Sequence, residues 1–246
     1  MNRGVLYFLI AVVAVGIIGG AAFMASLYFQ AGSGEASVPI TAPELSLEEN
    51  TAADTAESTT SDTGDRRLFR IAQEESVVRF ELDEELLGSP KHVVGTTDQV
   101  AGDIVIDFSN PANSEVGTIR INARTFTTDN EFRNRAIRGQ ILQSAQDEFE
   151  FIEFRPTVLE GLPTTGELGT TYEFTITGDL QIRDVVQPVT FNASVTLVDE
   201  TRLEGTAQAT VLRSDFGLTI PDVPSVANVT DEVVLTIEFV APEVAG

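Results

Sequence analysis

Residues 173–197 read EFTITGDLQIRDVVQPVTFNASVTL. Phe174, Ile176, Gly178, Leu180 and Ile182 fall on one side of an extended chain; Glu173, Thr175, Thr177, Asp179 and Gln181 fall on the other. A period of two is the spacing of a strand with one buried face. Turn residues follow from Asp184 to Pro188, and the alternation resumes at Val189, Phe191, Ala193, Val195 and Leu197. Leu203, Gly205, Ala207, Ala209 and Val211 repeat it, and Val233, Leu235, Ile237 and Phe239 close the series. Upstream, strands are predicted at Leu68–Ala72, Val77–Leu82, Val100–Phe108, Val116–Ala123 and Glu148–Leu159. Further turns stand at Ser109-Asn110-Pro111, Gly161-Leu162-Pro163 and Asp199-Glu200. Many strands with short links predict an all-β antiparallel barrel or sandwich.

One stretch breaks the alternation. Thr128 to Ser144 carries helical spacing, with Phe132, Ile137, Ile141 and Leu142 roughly on one side. Thr128 or Asp129 is the expected N-cap, and Gly139 is expected to split the run in two. Leu86 to Thr97 reads as a loop containing His92. Gly205, Ala207 and Ala209 leave room on an inward-looking face. That room serves either a ligand cavity or large neighbours such as Phe191.

The first thirty residues are of another kind. Val5 to Phe29 carries no charge and would be about 37 Å long as a helix, enough to cross a hydrocarbon core of about 30 Å. Arg3 is the nearby base, which favours a cytoplasmic N-terminus and a domain on the outer side, periplasmic or extracellular. Secretion after cleavage of this segment as a signal peptide is the alternative, but the apolar run is long for that. Ala31 to Gly64 is polar and acidic, with few large apolar residues, and is expected to be a disordered linker. The resulting organisation is an anchor over 1–30, a linker over 31–65 and a β domain over 66–243.

Composition excludes several chemistries. There is no cysteine, so disulfides, thiolate nucleophiles and Cys-ligated metals are out. His92 is the sole histidine, which rules out a multi-histidine metal site. A net charge of −23 repels nucleic acid. Arg213-Ser214-Asp215-Phe216-Gly217 shares letters with a kinase magnesium motif, but no phosphate loop or catalytic loop accompanies it. Asp103 and Asp107 lie about 13 Å apart on an extended strand, too far to share a metal, and are expected to be solvated. Catalysis, cofactor and metal are therefore not expected.

Taken in order, several short motifs resemble the YceI-like family, the polyisoprenoid-binding β-barrels of bacterial envelopes. They are Ser76-Val77-Val78-Arg79-Phe80, Gly102-Asp103-Ile104-Val105-Ile106-Asp107-Phe108 before Pro111, Phe126-Thr127-Thr128, and Arg133-Asn134. Phe149 to Phe154 follows, then Thr177 to Val185 running into Pro188-Val189-Thr190-Phe191, and finally Arg213 to Gly217. The resemblance covers about residues 69–239. It implies an extended lipocalin-like barrel with a short helical insert and a long apolar cavity for an isoprenoid chain such as a quinone or polyprenol tail. The sequence departs from the family pattern at Asn134, Ala136 and Glu150, where an Asp, a His and a Pro are common, and across Leu86 to Thr97.

Non-catalytic lipid binding is the expected function. Phe126, Phe132, Ile137, Leu142, Phe151, Phe174, Ile176, Phe191, Val195, Ala207 and Phe216 are the expected ligand-lining residues, with Arg133 and Arg213 at the rim. Expected partners are an isoprenoid lipid and the membrane, and a homodimer is compatible with the pattern. A ligand-free interaction module and a lipid-modifying enzyme are the alternatives.

Overall fold

The computed structural model describes residues 34–45 and 65–244. The expected anchor, and residues 31–33 and 46–64 of the expected linker, lie outside the described residues. Among the described residues no helix is long and apolar enough to cross a membrane.

Thirteen strands form a nearly closed antiparallel barrel. They are β1 (Arg66–Arg70), β2 (Val77–Leu86), β3 (Ser89–Thr97), β4 (Val100–Ala101), β5 (Asp103–Asp107), β6 (Glu115–Val116), β7 (Ile119–Asn122), β8 (Phe151–Glu160), β9 (Thr171–Ile182), β10 (Val185–Asp199), β11 (Arg202–Leu212), β12 (Val226–Ala227) and β13 (Glu232–Pro242). The long wall runs β7-β8-β9-β10-β11-β13-β2. It closes differently at its two ends. At one end β2 pairs with β3, and Thr96 and Thr127 exchange two backbone hydrogen bonds of 2.9 and 3.0 Å. At the other, Phe69 of β1 bridges to Glu243, and β1 pairs with β5. The switch of partners falls at Gly102, between β4 and β5. A Cβ there would lie 2.5 Å from the tip of the Ile119 side chain, which would have to shift, so glycine eases the crossing.

The alternation read from the sequence points the predicted faces inward. Phe191, Ala193, Leu203, Ala207 and Ala209 are all buried. Gly205 and Ala207 divide the two roles left open for small residues. A Cβ on Gly205 would meet the Phe239 ring at 2.8 Å, so that space is already filled. Ala207 instead borders an internal cavity.

Three local expectations need correction. Ser89–Thr97 is a strand, not a loop. Leu87 and Gly88, at φ of 53° and 78°, form the two-residue turn that a right-twisted hairpin favours. The insert is one short helix, α1 (Glu131–Ala136), continuing into a wider π-type turn over Ile137–Ile141 that contains Gly139. Its N-cap is Asn130, not Thr128 or Asp129; the Asn130 Oδ1 accepts from the Phe132 and Arg133 amides at 2.9 and 3.2 Å. Asp103 and Asp107 are buried, not solvated. Asp103 takes two bonds from Arg70, and Asp107 accepts from the Ser109 and Asn110 amides in the following turn.

Residues 34–45, expected to be disordered, lie along the outside of the barrel as a strap. Ser37 donates its amide and hydroxyl to Glu150 at 2.5 and 3.0 Å. The Glu35, Ser37, Ile40 and Thr41 carbonyls accept from Arg124, Asn122, Gln73 and Arg120. Farther along, Leu45 donates its amide to Asp103 at 3.2 Å. Ile40 is 3% exposed. Glu150, one of the departures from the family pattern, is thus one of the residues that hold the strap, and the one that accepts both Ser37 bonds.

Candidate functional site

The inward faces enclose two adjacent hollows. The chamber beside the insert is about 440 Å³, and the one toward the opposite end about 240 Å³. Phe126, Ile152, Ile182 and Leu235 border both and form the neck between them. At the neck the Phe126 ring meets Phe80 edge-on, with centroids 5.4 Å apart.

The inner chamber is walled by side chains from most strands. Phe174, Ile176, Phe191, Val195 and Ala207 line it, as expected from the alternation. Phe154, Leu203, Ile237 and Phe239 line it as well. The outer chamber lies at the insert end, termed the mouth; the inner one reaches Glu167 and Leu168 in the exposed turn at the opposite end. Ile137, Leu142 and Phe216 line the outer chamber, and Phe132 stands at its lip, 80% exposed. Phe126 sits in the neck. Phe151 borders neither chamber. It lies on the outer face of β8, where the Arg120 guanidinium covers its ring at 5.0 Å. The assigned face was one residue out of register: Ile152 and Phe154 point inward instead.

Polar groups are confined mainly to the mouth. Arg133 reaches Glu84 at 2.6 Å and Asp129 at 2.5 Å. Glu84 and Arg133 both border the chamber, with Asn130 beside them. Arg213 donates to the Thr230 and Leu218 carbonyls at 3.1 Å each. Both expected rim arginines are thus committed to partners within the chain. Asn134 is buried and structural; its Oδ1 accepts from the Thr128 amide and hydroxyl at 2.7 Å each.

The stretch Leu218 to Val229 was not anticipated. It arches over the mouth and contributes Leu218, Ile220, Pro221, Val223, Val226 and Val229 to the chamber. Its apolar residues, spaced on either side of Pro221 and Pro224, are the available signal. His92, read as a loop residue, lies on β3 outside the barrel. Its ring nitrogens stand 2.8 Å from Asp83 and 3.1 Å from Glu81, which raise its pKa above the ordinary value. Among the described residues no three His, Asp or Glu side chains converge as a metal set.

A nearly closed antiparallel barrel around an apolar, ligand-sized hollow, with polar groups at one mouth, defines the class. The YceI-like domain matches residues 69–241, and the chain belongs to that family. Among solved structures it is similar to a polyisoprenoid binding domain from Saccharophagus degradans implicated in plant cell wall breakdown. The TM-score is 0.55 at 12% identity, covering 72% of this chain and 99% of that one. Burkholderia cenocepacia BcnA is similar at a TM-score of 0.53 and 17% identity, covering 69% and 98%. These likenesses concern the fold. No curated protein matches the chain.

Proposed function

We propose that the barrel binds a long apolar lipid of the isoprenoid type without catalysis. The tail of a quinone or polyprenol would lie through the neck into the inner chamber, with its head in the mouth. The observation that carries this reading is the pair of adjacent chambers, apolar inside and polar at one end. Their size suits a small-molecule site of roughly 300–1,000 Å³. The driving force is apolar area removed from water, about 25 cal/mol per Å² before the costs of association. The Saccharophagus degradans relative, a polyisoprenoid binding domain, supports the same ligand class. Catalysis has little support, because the mouth carboxylate Glu84 is held by Arg133. Residues 5–29 would hold the chain in the membrane, with the barrel on the outer side.

Organic extraction of the purified protein, followed by lipid mass spectrometry, tests the reading. A co-purifying quinone or polyprenol is expected. Protein that carries no lipid, and that takes up neither ubiquinone-10 nor undecaprenol from detergent, defeats it and favours a ligand-free interaction module.

A further inference from the structure

Strand register places several segments at one end of the barrel. The Leu87-Gly88 turn, the β9–β10 turn at Arg183-Asp184, the start of β13 and the end of β11 all lie there, with α1 before the β8 end of the wall. This is the mouth end. Its segments carry exposed large apolar side chains: Leu87, Phe132, Val186, Leu212 and Val223. Phe132 and Val223 also border the outer chamber, so they form its lips. Leu87 is 81% exposed at the tip of the neighbouring hairpin. Such side chains set around a ligand opening leave an apolar rim facing water.

The charge pattern at the lip is also unusual. Among the described residues, Arg135 and Arg138 are the basic side chains without a carboxylate in ion-pair range; every other one has such a partner. Both follow Phe132 on the insert, and Arg135 lies 5.7 Å from its ring. At the opposite end Leu168 and Val198 are exposed too, beside Glu167, Asp199 and Glu200, and no basic side chain there lacks a carboxylate partner. Glu85, Asp129, Glu131, Asp184, Asp215 and Asp222 also lie at the mouth end, so the rim as a whole is acidic and the two arginines are a local exception on the insert.

The strap adds a constraint from the chain itself. Its first residues lie beside Arg124, whose guanidinium also donates to the Ser144 and Ala145 carbonyls after the insert. From there the strap runs away from the mouth, to Leu45 beside Asp103. Gly34, where the described strap begins, therefore lies toward the mouth side of the barrel. Phe29, the last residue of the uncharged run, is five residues from Gly34, a reach of at most about 18 Å. The long acidic stretch 46–64 comes after the strap, so it adds nothing to that reach.

We propose that the mouth end of the barrel docks on the phospholipid bilayer, with Leu87, Phe132 and Val223 at the interface and Arg135 and Arg138 on headgroup phosphates. The inference rests on the reading that residues 5–29 span the membrane. The opening of the ligand chamber then faces the lipid phase, and a prenyl chain can enter without crossing water. The contact is driven by the apolar tips and phosphates, which zwitterionic and anionic lipids both offer, so it does not require anionic lipid.

The absence of native cysteine makes single-site labelling direct. The full chain, reconstituted in phosphatidylcholine vesicles, is labelled with an environment-sensitive fluorophore at Leu87→Cys, Val223→Cys or, as a control, Thr201→Cys. Bilayer-borne spin-labelled lipid should quench the first two and spare the third, and aqueous iodide should do the reverse. Adding Leu87→Asp with Arg135→Gln should reduce lipid-borne quenching at Val223 about tenfold. Equal quenching at all three sites, or quenching at Thr201 alone, overturns the docking. Ubiquinone-10 uptake from detergent is measured alongside. Uptake with an undocked mouth refutes only the docking; a docked mouth without uptake refutes only the lipid-binding function.

Discussion

The two faces of the β7–β8 wall are built by one alternation and end in opposite environments. Ile121, Ile152 and Phe154 face the hollow. Arg120, Asn122, Phe151 and Glu153 share the same two strands and face out. The inner face is apolar and borders a space that stays partly empty. The outer face carries a polar cluster, Asn122, Arg124 and Glu150, as deeply buried as any core residue because the strap covers it. The hollow therefore asks little polar satisfaction of its own wall. The outside of that wall asks for a great deal, and a separate segment supplies it.

Phe154 and Phe151 put the largest numbers on this comparison. Phe154 packs edge-on against Phe191, with centroids 4.8 Å apart, and lies across Gly178. Phe154→Ala should cost about 4 kcal/mol of unfolding free energy. Phe151→Ala loses mainly an exposed-side contact with Arg120 and should cost about 1 kcal/mol. Urea denaturation of the two variants decides it. Equal losses would mean that the faces are assigned in the wrong register.

Glu150 tests the outer face. It accepts from Ser37 and from Asn122, and it stands 3.2 Å from the buried Arg124 guanidinium. Glu150→Gln leaves Arg124 with Asp147 as its remaining carboxylate. Ser37 and Asn122 then lose a charged acceptor while Arg124 keeps one ion pair, and a loss of about 2 kcal/mol is expected. Residues 34–45 should become sensitive to protease in the same variant while the barrel resists. Unchanged stability and protection would show that the strap is a passive neighbour.

The inner face was legible because one repeated physical cause wrote it. On β9, β10 and β11 the inward side chains recur at every second residue, so the period alone identifies them; on β13 the most buried residues are Val233, Thr236, Phe239 and Ala241, and the period is less regular. The Phe149 to Phe154 stretch was ambiguous for the same reason. Phenylalanines at 149, 151 and 154 satisfy either phase of the alternation, and only the pairing of β7 with β8 fixes which one is inside. β3 was hidden by Pro90 near its start and by Gly95, whose bare backbone makes room for the Phe80 ring. The strap was invisible for a different reason. It contributes mostly main-chain carbonyls and one amide–hydroxyl pair to side chains far away in sequence. Backbone groups are the same in every composition, so an acidic, Ser- and Thr-rich segment reads as unstructured whether or not a wall exists to receive it. The N-cap was missed by one or two residues, since Thr128, Asp129 and Asn130 are all competent caps.

The smallest effect belongs to the solvent-facing side of the β2–β3 hairpin, where His92 stands between Asp83 and Glu81. The hydrogen bond to Asp83, then that to Glu81, favours the imidazolium and raises its pKa above 6.5. A group whose pKa is higher folded than unfolded stabilises the fold fully below its unfolded value. That contribution is lost as pH climbs through the folded value. The hairpin should therefore be slightly firmer below pH 6.5 than above neutrality. The ring is open to water and screened by it, so the change is small beside the loss expected at Phe154. Proton NMR titration of the single histidine reads it without assignment. The midpoint should lie above 6.5 and move down in Asp83→Asn. A midpoint at or below 6.5 would mean that the outer carboxylates do not hold the ring. The outer face would then owe its order to the strap and the backbone pairing, with no help from surface charge.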